Sequence, residues 1–234
     1  MTASPTTAPD GVEVAVEHRG TDSGDPTRRL VCTTGWANDR SVWSALADDL
    51  AADHAVTTWD LRGHGDSGTP PPGDYSRQHA LGDLAAVLDG AGRPAVLVGH
   101  SLGGYLSLAH TLDHPDDVAG LVLVATGPGF RKAEAREEWN ASVRAAAAKM
   151  EQAAGVEEIS LHVDSHVIDH LADIACPVLV LLGERDRRFA ASAALFERDL
   201  DVRATVVVPD QGHMVHLKAA AECATAIREF TAGL

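Results

Sequence analysis

Short apolar runs alternate with amphipathic segments along most of this chain, and that alternation restricts the fold more than any other feature. Arg29–Thr33, Ala55–Trp59, Ala95–Val98, Leu121–Val124, Val178–Leu182 and Ala204–Val208 are brief and rich in β-branched residues and leucine. Runs that are apolar on both sides of the pleat belong to strands covered on both faces. Between them, Ser41–Ala52, Ser76–Leu88, Leu102–His114, Ala190–Asp199 and a last segment from about His216 to Phe230 read as helices; the first, for example, has Val42, Trp43, Leu46 and Leu50 at helical spacing. With Val12–Glu17, which alternates like a half-buried strand, about seven strands are expected. The fold class is α/β, a mostly parallel central sheet flanked by helices. A length of 234 residues suits one such domain, 1–234.

The alternation is interrupted once, by about 50 residues between Val124 and Pro177. Within this insertion Glu134–Ala154 places Trp139, Val143, Ala147, Met150 and Ala154 on one stripe, so a long amphipathic helix is expected, packed by that stripe or lining a cleft with it. The net charge of −15 is spread along the chain, which argues against nucleic acid and favours a neutral small molecule. Cys32, Cys176 and Cys223 lie far apart in apolar surroundings, as buried thiols of a reducing compartment do. Met1–Gly11 lacks the basic start and apolar run of a signal peptide, and no stretch reaches 18 apolar residues, so a cytoplasmic protein without membrane contact is expected.

Gly99-His100-Ser101-Leu102-Gly103 falls where a strand gives way to a helix. A serine on so tight a turn needs small neighbours, here Gly99, Gly103 and Gly104, and its hydroxyl meets the N–H groups of the following helix. Serine is a poor nucleophile without a base, and the base needs a carboxylate to fix its tautomer. In a parallel sheet such groups come from loops at the carboxyl ends of strands. His213 follows Ala204–Val208, and Asp186 follows Val178–Leu182. Asp210, three residues before His213, is a rival for the acid and also a natural turn residue after Pro209.

The order Ser101, Asp186, His213, together with Arg29-Leu-Val-Cys-Thr-Thr-Gly-Trp36, Trp59-Asp-Leu-Arg-Gly-His-Gly-Asp-Ser-Gly68, Gly183-Glu-Arg-Asp186 and Gly212-His213, resembles the α/β-hydrolase superfamily over nearly the whole chain. The resemblance implies a serine hydrolase with catalytic Ser101, Asp186 and His213. It implies an oxyanion hole from the backbone N–H groups of Trp36 and Leu102, although the family's usual His-Gly is here Thr34-Gly35. It also makes 127–173 a reduced helical lid. The expected substrate is a carboxylic ester or lactone, neutral and apolar, lined by Trp36, Tyr105, Phe130, Trp139, Met214 and Val215, with no cofactor and no metal. Two alternatives share these residues: a cofactor-free perhydrolase or dioxygenase, which Gly35-Trp36-Ala-Asn-Asp39 also resembles, and a ligand-binding member with little catalysis. The dioxygenase arrangement has an acid after the sixth strand, where this chain has Ala125-Thr126-Gly127.

Two further patterns have simpler readings. Gly63, Gly65 and Gly68 spell G-x-G-x-x-G, but Pro70-Pro71-Pro72 follows instead of a helix, so they are turn residues and not a dinucleotide loop. His162, His166 and His170 would align on one helix face, either solvated or able to bind zinc, and their protonation below about pH 6.5 could reposition the insertion.

Overall fold

The computed structural model describes residues 2–3 and 5–234. Met1 and Ser4, part of the N-terminal stretch considered above, lie outside the described residues. Eight strands form one sheet: β1 (Thr2–Ala3), β2 (Val16–Arg19), β3 (Arg29–Thr33), β4 (Ala55–Trp59), β5 (Ala95–His100), β6 (Val118–Val124), β7 (Val178–Gly183) and β8 (Val202–Val208). Their spatial order is β1-β2-β4-β3-β5-β6-β7-β8. The contacts of β2 with β1 and β4 are antiparallel, and every pairing from β4 to β8 is parallel. The α/β reading holds, with the two-residue edge strand β1 added to the sheet; the strand expected at Val12–Glu17 is divided, since Glu13–Val14 pairs with Thr6–Thr7 in a separate two-stranded ribbon and only Val16–Arg19 joins the main sheet.

Successive residues of each strand point to opposite faces and enter two separate cores. Val31, Leu97, Leu121, Leu123, Val178 and Val180 pack on one side under α2 (Arg77–Ala91), α3 (Leu102–Asp113) and α6 (Ala190–Asp199). Leu30, Cys32, Val96, Val98, Val122, Val124 and Leu179 pack on the other under α1 (Ser44–Leu50) and α8 (Ala220–Ala232). This two-sided burial explains why β5 and β7 are apolar throughout. The last segment divides into a short α7 (Val215–Lys218) and α8, with the break at Ala219.

The insertion departs from expectation. Its helix, α4 (Ala133–Ala147), ends seven residues before Ala154. Gly155, at φ 86°, reverses the chain into a 3-10 turn, Val156–Ser160, and Val156 and Ile159 take the core positions that a longer helix would have filled. Met150 is left 45% exposed and Ala154 also faces solvent. The three histidines do not share a helix either. Asp164 Oδ1 accepts from the His166 backbone N–H at 3.0 Å and turns the chain, so His162 precedes α5 (His166–Asp169) and points elsewhere. Among the described residues no group of three His, Cys, Asp or Glu side chains could hold a metal.

Chain order places β3 between β4 and β5, so the connections from β3 and β5 leave the sheet in opposite directions. The carboxyl ends of these two strands therefore frame a crevice, the usual ligand position in an open parallel sheet.

Candidate active site

Ser101 stands between β5 and α3 in a conformation that side chains rarely adopt, φ 52° and ψ −115°. Such backbone strain costs about 1–3 kcal/mol and persists only when the surroundings enforce it. Here the Ser101 N–H donates to Val124 O at 3.0 Å, and Thr126 Oγ1 donates to Ser101 O at 2.6 Å. The glycines that follow allow the approach: a Cβ on Gly103 would stand 2.2 Å from Thr33 O. Ser101 opens into a cavity of about 280 Å³, also lined by Leu102, Tyr105, Thr126, Gly127, Gly129, Phe130, Trp139, Ser142, Ser160, His162, Arg188, Phe189 and Ser192.

His213 and Asp186 arrive from the loops after β8 and β7. His213 Nδ1 lies 2.9 Å from Asp186 Oδ2. A carboxylate only accepts, so the proton sits on Nδ1 and the Nε2 lone pair is left free to take one. Asp186 is buried, and its Oδ1 accepts from the backbone N–H groups of Arg188 at 3.1 Å and Phe189 at 3.4 Å. The Phe189 ring stacks on His213 at 5.3 Å. Asp210, the rival acid, is exposed and paired with Arg185. Among the described residues the Ser101 hydroxyl has no hydrogen-bond partner; such a bond often tightens only when substrate arrives.

Behind His213 stands a column of rings. His100 lies 4.6 Å from His213 and 4.2 Å from His216, which lies 4.2 Å from Trp43. His100 Nε2 donates to His213 O at 3.0 Å. Both inner histidines have no exposed surface, and burial holds His100 well below the ordinary imidazole range and His216 down to about 3.

The loop after β3 crosses the same crevice. A Cβ on Gly35 would stand 3.1 Å from Ser101 Cβ. The backbone N–H groups of Trp36 and Leu102 donate to nothing among the described residues. This loop is held by a residue that sequence reasoning treated as part of a turn: His64 Nε2 accepts from the Ala37 N–H at 3.1 Å, while its Nδ1 donates to Arg62 O at 2.9 Å. The turn containing it is anchored by Arg62, which is fully buried and bonded to both Asp83 oxygens at 2.7 and 2.6 Å. Gly65 is forced, since a Cβ there would stand 2.2 Å from Asp60 Oδ2.

Tyr105, Phe130 and Trp139 face the cavity, but Val215 has no exposed surface because α7 turns it into the second core. Met214 does not line the cavity, and Trp36 packs against the first core. His162, expected on a helix face, is instead ringed by Tyr105, Phe130 and Trp139 at 4.5, 5.3 and 5.8 Å, and burial lowers it to about 4. Arg188 also lines the cavity and is the one ionised side chain of that lining. The insertion is tied down around this cavity. Arg77 on α2 holds Asp164 through contacts of 2.8 and 2.6 Å, lowering that carboxyl to about 2, and also donates to Tyr105 Oη at 2.8 Å.

Residues 28–147, about half of the chain, match a family described as alpha/beta hydrolase fold. The chain belongs to the α/β-hydrolase family. This α/β hydrolase is 26% identical, across 91% of its own length and 92% of the other's, to a Bacillus subtilis (strain 168) protein provisionally named 2-succinyl-6-hydroxy-2,4-cyclohexadiene-1-carboxylate synthase. It is 34% identical over 110 residues to a pimeloyl-(acyl-carrier protein) methyl ester esterase of Aeromonas salmonicida (strain A449); that match spans 47% of this chain and 41% of the esterase. Among solved structures, a thermophilic esterase from Thermogutta terrifontis superposes with a TM-score of 0.79 at 25% identity, covering 98% of both chains. No helix among the described residues is long and apolar enough to cross a membrane.

Proposed function

We propose that this α/β hydrolase is a serine hydrolase that cleaves a carboxylic ester or lactone through an acyl-enzyme on Ser101. The observation that carries this reading is the strained Ser101, opening into a cavity beside two undonated backbone N–H groups, with the His213–Asp186 pair at the same ends of the strands. His213 takes the Ser101 proton as Oγ attacks the carbonyl carbon, and the N–H groups of Trp36 and Leu102 hold the oxyanion. The C–O bond to the alcohol breaks, and the alcohol leaves with the proton from His213. Water, deprotonated by the same imidazole, then releases the acid.

The insertion at 127–173 acts as a small lid supplying the aromatic wall of the acyl site. The esterases among the relatives favour ester chemistry over the oxygen-dependent alternative. So does Thr126, which occupies the position after β6 where a dioxygenase arrangement has its acid, and whose hydroxyl is committed to Ser101 O.

The test is intact mass after exposure to a fluorophosphonate, which modifies a serine activated by a base. One adduct on the wild type, absent from Ser101→Ala, is expected, followed by turnover on a panel of esters and lactones. An unlabelled but folded wild type would refute the assignment.

A further inference from the structure

We propose that the cavity selects esters bearing a carboxylate on the part of the molecule it encloses, with Arg188 as the recognising residue. The inference rests on the serine-hydrolase reading for its reaction, but not for its binding chemistry. Arg188 lines the cavity with Ser101, and its guanidinium carbon lies 5.5 Å from the centroid of the Trp139 ring, itself part of the wall. Among the described residues this guanidinium makes no ion pair and no side-chain hydrogen bond. Arg185 pairs with Asp210 and Arg77 with Asp164, while the adjacent Arg187 is also without a side-chain partner among the described residues; what sets Arg188 apart is its place in the cavity wall against Trp139.

None of the residues lining the cavity is acidic. Two carboxylates of the surrounding site are already engaged, Asp186 with His213 and Asp164 with Arg77. The remaining polar lining consists of hydroxyls, among them Ser142, Ser160 and Ser192, and of the unprotonated ring of His162. A guanidinium held over an aromatic face keeps its N–H groups, which lie in its own plane, available for a bidentate carboxylate. Arg188 is thus the one ionised side chain of the lining, so a carboxylate entering the cavity meets a cation there although the molecule as a whole is strongly acidic.

The experiment compares kcat/KM on chain-matched pairs: methyl half-esters of dicarboxylic acids against methyl esters of the corresponding monocarboxylic acids, and esters of hydroxy acids against those of simple alcohols. The charged member of at least one series should be favoured about tenfold at low salt, and Arg188→Gln should abolish that preference. Arg187→Gln removes the same charge one residue earlier, outside the cavity lining, and should keep the preference. A wild type that turns over both members equally, or favours the neutral one, overturns the proposal while leaving the hydrolase intact. Calorimetric titration of Ser101→Ala with the same methyl half-esters and neutral methyl esters covers the case without turnover. Half-ester binding about tenfold tighter than neutral-ester binding, lost on adding Arg188→Gln, upholds the charge recognition even if the hydrolase reading fails. Charge-blind binding or no binding in that titration, with no turnover, overturns it.

Discussion

Acidification from pH 6.5 to 5 should unfold this protein through histidines that the folded state keeps unprotonated. His100, His110 and His216 are buried to within 1% exposure. Burial pushes His110 to about 4, His216 to about 3, and His100 well below its ordinary value. In the unfolded chain each titrates near 6.5. Between the folded and unfolded values only the unfolded state binds the proton, so stability is full above about pH 6.5 and falls as the pH drops. His162, held near 4 in the cavity wall, titrates with them. Each group contributes up to about 1.4 kcal/mol per pH unit once the unfolded imidazole is protonated, so four give about 5 kcal/mol per unit near pH 5 and about 6 kcal/mol between pH 6.5 and 5. That is comparable with the whole stability of a typical domain, about 5–15 kcal/mol. Carboxylates held low by their partners, such as Asp164 at about 2, stay ionised throughout this window and do not contribute to the slope. Urea unfolding at half-unit pH steps measures it directly. Replacing His216 with Phe, which can keep the ring stack on Trp43, should reduce the slope by about one proton. A wild-type stability constant to within about 1 kcal/mol from pH 6.5 to 5 would refute the reasoning.

His64→Phe should remove the acceptor for the Ala37 N–H and loosen the loop that carries the Trp36 N–H, lowering kcat about 10–100-fold with a smaller change in KM; steady-state kinetics on an ester substrate would read it. Asp83→Asn removes the buried carboxylate on Arg62 and leaves only the partly exposed Asp10 to balance that charge, and should cost about 3 kcal/mol in urea unfolding at pH 7.5. Gly103→Ala drives a methyl into Thr33 O, so it should either prevent folding or abolish fluorophosphonate labelling, whereas Gly82→Ala, whose Cβ meets only Pro9 at 3.7 Å, should leave labelling at the wild-type level.

The layered sheet was legible because burial on both faces imposes apolar runs of a length that nothing else in a soluble chain produces. Ser101, Asp186 and His213 could be singled out for a related reason, since strand ends are countable and reacting groups gather there. What failed were inferences from spacing alone. Val215 stands two residues from His213, yet α7 turns it inward with no exposure. The four-residue period of His162, His166 and His170 suggested a helix, but a single hydrogen bond from the His166 N–H to Asp164 breaks it and delivers His162 to the cavity wall. Arg188 gave no signal in the sequence that would separate it from Arg187, because its place in the cavity wall against Trp139 is made by the fold.

The arrangement around Ser101 also shows why so much of the site's support lies in groups that never face a ligand. The serine's unfavourable backbone is enforced by the Val124 carbonyl, the Thr126 hydroxyl and the close glycine packing, all from elements fixed in the sheet. The opposing loop has no strand of its own to register it. Its position depends on His64, whose one ring nitrogen donates to Arg62 O while the other accepts from the Ala37 N–H. That pairing exists only for the neutral imidazole, and burial, by lowering its pKa, keeps the ring neutral. The turn bearing His64 depends in turn on the buried Arg62–Asp83 pair. A polar network of this kind offers little net stability over an apolar core, yet it has one satisfied arrangement, and the crevice needs a loop with one position.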